Sequence, residues 1–188
     1  STHRIIDFWE MDFLGAPVDS LQEILVFTIP RLQFILLYPV SQSSKACVLS
    51  VFNQINDDLG PDFIRVFPVI ITDRDPAFND FSALEMDDIT GEIRTHIFYC
   101  DPHLSNQKPS VENMNAQICT IFLKGVCLSN ITTAQCYILS SHLNARILHS
   151  LNDATPAQLF IDIFGIDIYQ RLHLIFVKPT EVTLKPIR

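Results

Sequence analysis

Residues 66–81 read VFPVIITDRDPAFNDF. A run of apolar, β-favouring residues stops abruptly on Thr72-Asp73-Arg74-Asp75-Pro76. A near-continuous apolar run is the pattern of a strand covered on both faces, so residues 66–72 are expected to form a buried strand. Its acidic end has two readings. One is a solubilising turn, with Asp75 and Pro76 in their ordinary turn roles. The other is a strand tip that presents Asp73 as a metal ligand. Asp75, two residues on, would then point the same way in an extended chain and serve as a spare ligand.

Three further strand patterns precede this run: residues 5–14 (IIDFWEMDFL), 22–29 (QEILVFTI) and 32–40 (LQFILLYPV), the last two joined tightly at Pro30-Arg31. Their short connections predict an antiparallel meander. Residues 43–59 change period: Val48, Leu49, Phe52, Ile55 and Leu59 recur at helical spacing. Ser43 or Ser44 is placed to cap that helix and Gly60 to end it. A helical turn is expected around Phe81–Asp88 and a fifth strand over residues 94–100. Helices are expected from Ser110 onward, over 132–145, and over 156–163, where Thr155-Pro156 is a capped start. The element order predicts an α/β fold, a five-stranded mixed sheet with its first three strands antiparallel, flanked by helices. Trp9 is read as a packing residue on the face opposite Asp12, and Phe34, Tyr38, Phe52, Phe67 and Phe98 as core.

With 188 residues, 48% hydrophobic and 18% charged, the chain has a globular composition sufficient for one sizeable domain. No apolar run approaches the roughly 18 residues of a membrane span, and no signal peptide is visible at Ser1-Thr-His-Arg, which reads as a trimmed start. Five cysteines without CxxC pairing predict reduced thiols in a cytoplasmic protein and argue against a zinc site. The net charge of −8 disfavours a generic nucleic-acid binder, but it is uneven. Residues 57–101 hold eleven acids and three basic residues, whereas 102–188 hold five acids and seven basic residues. An acidic middle fits a solvated face, and it also fits carboxylates gathered around cations.

Three acids stand out by placement: Asp12 in the first strand, Asp73 at the end of the fourth, and Glu112 near a helix start. Strand ends in such sheets converge on a crevice beside helix N-termini. Carboxylates gathered there repel one another unless cations neutralise them, and oxygen ligands suit Mg²⁺ or Mn²⁺. Two such ions about 3.5–4 Å apart serve phosphodiester chemistry. Spacing alone does not single these three out among 21 acids. The lone histidines are scattered, and His103, although near Asp101, is read as a surface residue.

The wording around them is more specific. WEMDFLG, FPVIITDRDPAFND and YCDPHLSNQKPSVENMNAQI resemble, in order, the three signature blocks of DDE transposases. The closest likeness is to the "IS thirty" family of bacterial insertion sequences, whose members read W/VExDxxxG, PxxxTDNGxEF and FCDPxxSxQKxxxEN. Asp12, Asp73 and Glu112 fall on the catalytic acids. Phe78, Asp101-Pro102, Ser105, Gln107-Lys108 and Glu112-Asn113 match further positions. Leu123-Lys124-Gly125, Leu143-Asn144-Ala-Arg146 and the run from Thr155-Pro156 to Leu159-Phe160 resemble later motifs. The resemblance covers nearly the whole chain.

It implies an RNase H-like, integrase-type core over about residues 5–163, with 164–188 as a C-terminal extension and an N-terminal DNA-binding region missing. It implies two divalent metals (Mg²⁺ or Mn²⁺) on Asp12, Asp73 and Glu112, and cleavage and strand transfer of DNA by in-line attack on phosphorus. Lys108, Asn113, Arg146 and Arg74 are the implied DNA contacts. The implied partners are transposon ends, target DNA and further copies of the chain, with no membrane, in a bacterial cytoplasm and at the nucleoid when acting. Several positions depart from the pattern. Arg74-Asp75 stand where Asn-Gly is usual, Ala77 where Glu is usual, Pro109 where a small residue is usual, and Ile147 where Arg146 would be followed by a proline-arginine pattern. These departures fit a diverged or decayed copy, retaining only the scaffold, as well as an active enzyme. Another RNase H-like nuclease is the competing enzymatic reading.

Overall fold

The meander forms as its pattern dictates. Strands β1 (Trp9–Leu14), β2 (Glu23–Ile29) and β3 (Phe34–Val40) pair antiparallel in the computed structural model, which describes residues 8–14, 22–100 and 131–183. A single 3-10 turn, Pro30–Leu32, reverses the chain between β2 and β3, and Gln33 closes it in the left-handed region at φ 50°. Helix α1 (Lys45–Leu59) then carries the chain across the sheet to the other side of β1. The Ser44 side chain accepts from the Cys47 N–H at its start, and Gly60, with φ 50°, ends it. Strand β4 (Val69–Thr72) lies parallel to β1, and β5 (His96–Tyr99) parallel to β4. The sheet order is β3-β2-β1-β4-β5, the mixed five-stranded arrangement expected from the element order.

Alternation divides the side chains between two layers. Trp9, Phe27, Phe34 and Tyr38 join Phe52 and Phe67 in the larger core, against α1. Helices α5 (Pro156–Phe164) and α6 (Ile166–Arg171) close it with Phe160 and Tyr169. Aromatic pairs organise this layer: Phe34 stacks on Phe160 at 4.1 Å and Trp9 on Phe67 at 4.3 Å. On the other face, Ile24, Val26, Ile35 and Leu37 meet Cys136, Leu139 and Leu143 of α4 (Thr133–Asn144).

Three expectations need correction. The run Val66–Thr72 is not strand throughout: Phe63–Val66 forms a one-turn helix, α2, and β4 starts at Val69. Pro68 explains the delay, because it offers no N–H to a ladder and biases its neighbour Phe67. Strand β5 begins at His96 rather than residue 94, because the Arg94 N–H donates to the Glu85 carbonyl at 2.8 Å, and its side chain to the Ala83 and Leu84 carbonyls, instead of joining the ladder with β4. Phe98 is not core but 57% exposed. Ile97 takes the inward position on this edge strand, and neighbouring residues of a strand cannot share a face. The helix expected from residue 110 lies outside the described residues.

Both sheet edges are covered by side chains rather than left open. On β3, the Ile35 N–H donates to Asn144 Oδ1 at 2.9 Å, and Asn144 Nδ2 donates back to the Ile35 carbonyl at 2.7 Å. The Leu37 N–H donates to Ser140 Oγ at 3.1 Å. On β5, the Ile97 N–H donates to Glu85 Oε1 at 2.7 Å, from helix α3 (Phe81–Glu85). Arg171 fastens α6 to α1: its guanidinium donates to the Asp58 carbonyl at 2.9 Å, to the Leu59 carbonyl, and to Asp62 Oδ2 at 2.9 Å. These are carbonyls that the end of α1 leaves without helical partners.

Asn144→Ala strips two partners from a buried backbone segment, so urea unfolding should show a loss of about 2–6 kcal/mol, at roughly 1–3 kcal/mol per orphaned group. The hydrogen bond from Arg171 holds the Asp62 carboxyl below the ordinary aspartate range. A carboxyl lowered on folding stabilises the protein above its unfolded value, near about 3.9, and loses that contribution as pH falls through its folded value. The stability gap between wild type and Arg171→Met should therefore narrow between about pH 5 and about pH 2, measured by urea unfolding across that range.

Candidate active site

The β1–β4 ladder brings two acids together. Trp9 pairs with Ile70 and Glu10 with Ile71, and Thr72 Oγ1 donates to the Met11 carbonyl at 3.0 Å. Continued by two residues, this register would set Asp12 opposite Asp73, one strand spacing away. Partners in a parallel ladder point to the same side, so both carboxylates leave the sheet on the face opposite Trp9 and Met11. Asp73 directly follows the end of β4, the position at which α/β sheets build their sites, and Asp12 lies two residues before the end of β1.

Local hydrogen bonds orient each acid. The Phe13 N–H donates to Asp12 Oδ1 at 2.8 Å, and the Asp75 N–H to Asp73 Oδ1 at 3.0 Å. Both residues are half-buried. The turn after Asp73 is built without a left-handed residue: Asp75 has φ −56°, and its Oδ1 accepts from the Ala77 N–H at 2.8 Å to cap the 3-10 turn Pro76–Phe78. Asp75 therefore fills the turn role. Phe78 is buried and stacks on Phe13, with ring centroids 4.9 Å apart, and Tyr99 Oη donates to its carbonyl. Ala77 is buried beneath this turn, where a glutamate would have to be desolvated.

Two neighbours of the acids were not singled out by sequence. The β4–β5 register pairs Thr72 with Tyr99, and the Cys100 N–H donates to the Thr72 carbonyl at 2.8 Å. Cys100, half-buried, thus follows Asp73 in a row running Asp12, Asp73, Cys100. Glu10 is a carboxylate only 1% exposed, on the same face as Asp12 and two residues before it. The alternation that placed Trp9 opposite Asp12 also placed Glu10 alongside it, so its period was the available signal.

Arg74 is exposed immediately beyond Asp73. Arg146 follows the end of α4 on the β3 side of the sheet, two strands from β1. Its Nε donates to the Leu143 carbonyl at 3.0 Å, and burial lowers its pKa. Glu112, Lys108 and Asn113 lie outside the described residues, as does His103. Among the described residues, no group of three or more His, Cys, Asp or Glu side chains is placed to hold a metal ion. The Asp12–Asp73 pair fits a hard cation in chemistry, as two oxygen donors on one face, and needs further ligands to complete a shell.

No protein-family model and no curated protein matches this sequence. Solved structures do. The catalytic core domain of BIV integrase aligns over 84% of this chain and 95% of that chain, with a TM-score of 0.60 at 13% identity. A chain of the simian T-cell lymphotropic virus intasome, solved by cryoEM in complex with PP2A regulatory subunit B56 gamma, aligns over 82% of this chain and 54% of that chain, with a TM-score of 0.62 at 14% identity. The fold is RNase H-like. At these identities the likeness to integrase catalytic cores concerns the fold alone.

If Asp75 acts as a cap, Asp75→Ala should cost about 1 kcal/mol of stability in urea unfolding, the ordinary value of a lost N-terminal cap.

Proposed function

We propose that this chain is the catalytic core of a DDE transposase that cleaves and joins DNA. The observation that carries the proposal is the parallel register of β1 on β4, Glu10 opposite Ile71 and the Thr72 hydroxyl on the Met11 carbonyl, which continued would set Asp12 opposite Asp73, in an integrase-like fold. The motif around Glu112 supplies the third acid. Together these residues would hold Mg²⁺ or Mn²⁺, which when bound supplies Lewis-acid stabilisation of charge at a phosphodiester.

The chain's own residues carry the remaining tasks. The backbone N–H groups of Phe13 and Asp75 fix the orientation of the two carboxylates, so little reorganisation is needed on binding a cation. Arg74, exposed beside Asp73, and Lys108 and Asn113 in the third block would contact phosphate oxygens and set the register of DNA over the acids. The intasome context of the structural neighbour fits assembly of several copies on DNA. Residues 57–101 are strongly acidic, so DNA would be held by a few local cations against an unfavourable overall field.

Calorimetry with Mn²⁺ should show saturable binding by wild type. Asp12→Asn or Asp73→Asn should weaken it at least about tenfold, whereas Asp75→Ala should leave it unchanged. Absence of binding by wild type would leave only a scaffold that has kept the fold.

A further inference from the structure

The other end of the parallel strands carries a separate feature. A cavity of about 410 Å³ opens between the end of α1 and the loop that leads into β5, lined in part by Asp57, Phe63, Ile64, Glu92, Ile93 and Arg94. It lies before the starts of β4 and β5, whereas Asp73 lies beyond the end of β4. Its volume falls within the range of about 300–1,000 Å³ typical of ligand clefts.

The rim is unusually apolar. Ile93 is 56% exposed and Ile64 37%. Met86, bridged antiparallel to Ile93, and Ile89, 87% exposed, extend the patch along the hairpin. An exposed aliphatic patch around a cleft marks a docking surface. The floor is rigid. Arg94, buried, donates to the Ala83 and Leu84 carbonyls at 2.9 Å each and to Asn53 Oδ1 at 2.7 Å, and it lies over the Phe52 and Phe63 rings. The Asp87 carboxylate is likewise committed, accepting from Asn56 and from the Ile89 and Thr90 N–H groups. A cavity framed in this way needs little ordering on binding.

Charge selects the occupant. Asp57, Asp88 and Glu92 are exposed around the patch, while Arg94, the one cation among the described residues lining the cavity, is buried beneath it. Two copies meeting through this face across a two-fold axis would oppose acid to acid. DNA and anionic lipid surfaces would be repelled. We infer that the cavity docks a basic, apolar segment of a partner protein, an aliphatic side chain filling the cavity and flanking lysine or arginine residues meeting Asp57 and Glu92.

Fluorescence anisotropy of the full chain with a short labelled peptide, leucines spaced three and four apart among arginines, tests this. Wild type should bind saturably. Ile93→Ser, and separately the pair Asp57→Asn and Glu92→Gln, should each weaken binding about tenfold or more, with the melting temperature unchanged because these side chains are exposed. Asp162→Asn, an exposed acid elsewhere on α5, should have no effect. Absence of saturable binding, indifference to Ile93→Ser, or equal weakening by Asp162→Asn would overturn the inference. So would a sedimentation experiment in which Ile93→Ser dissolves a dimer, since the face would then belong to a second copy.

Discussion

The register of β1 against β4 is the constraint on which the rest of the molecule depends. It is fixed at one end by Trp9, fully buried, whose indole N–H donates to the Val66 carbonyl at 2.7 Å while its ring stacks on Phe67. It is fixed at the other by the Thr72 hydroxyl on the Met11 carbonyl. A slip of one residue in either strand would move Asp12 and Asp73 to opposite faces of the sheet. It would also turn Trp9 out of the aromatic layer. The same packing that stabilises the core therefore fixes the faces on which Asp12 and the residues following β4 emerge, and a slipped register loses both at once.

Parallel strands also give the domain two unlike ends. At the end that Asp73 follows, the Phe13 and Asp75 N–H groups orient the Asp12 and Asp73 carboxylates. At the amino ends of β4 and β5, Arg94 and Asp87 spend their charges internally, leaving aliphatic side chains and solvent-facing acids. The uneven charge of the sequence is thus distributed along the strand axis, and one acidic stretch, residues 57–101, contributes to both ends.

Much of this was legible in the chain. Period-two and helical spacings located all five strands and the helices among the described residues except α2 and α6, and the alternation of Trp9 against Asp12 held. The misses have physical causes. Pro68 broke an apolar run that composition alone presents as continuous. Phe98 belongs to the strand at the edge of the sheet among the described residues, so its apolar character did not imply burial. The short helix α6 follows α5 after only Gly165, too short a piece for periodicity to separate. The roles of Arg94 and Asn144 were invisible for a different reason. Each acts through contacts distant in sequence, Asn144 with Ile35 and Arg94 with Asn53, which no local pattern encodes. Asn144 lies in a stretch resembling a family motif, and the structure gives it a scaffolding task there.

The turn after Asp73 changes the weight of the departure from the family pattern. An Asn-Gly pair serves a tight turn through its freedom at positive φ. Here Asp73 and Asp75 close the turn with side-chain hydrogen bonds, and Pro76 fixes its own φ at the first position of the following 3-10 turn. The backbone has no need of glycine, and Ala77 suits the buried place it occupies. What remains of the departure is electrostatic: one exposed guanidinium beside Asp73. Screened by solvent, an exposed charge of this kind is worth about 0–1 kcal/mol, less than a tenfold change in cation affinity. Under the proposed function, a penalty of that size would tune cation binding at these carboxylates and would not abolish it, while the same guanidinium would attract a phosphate brought to them.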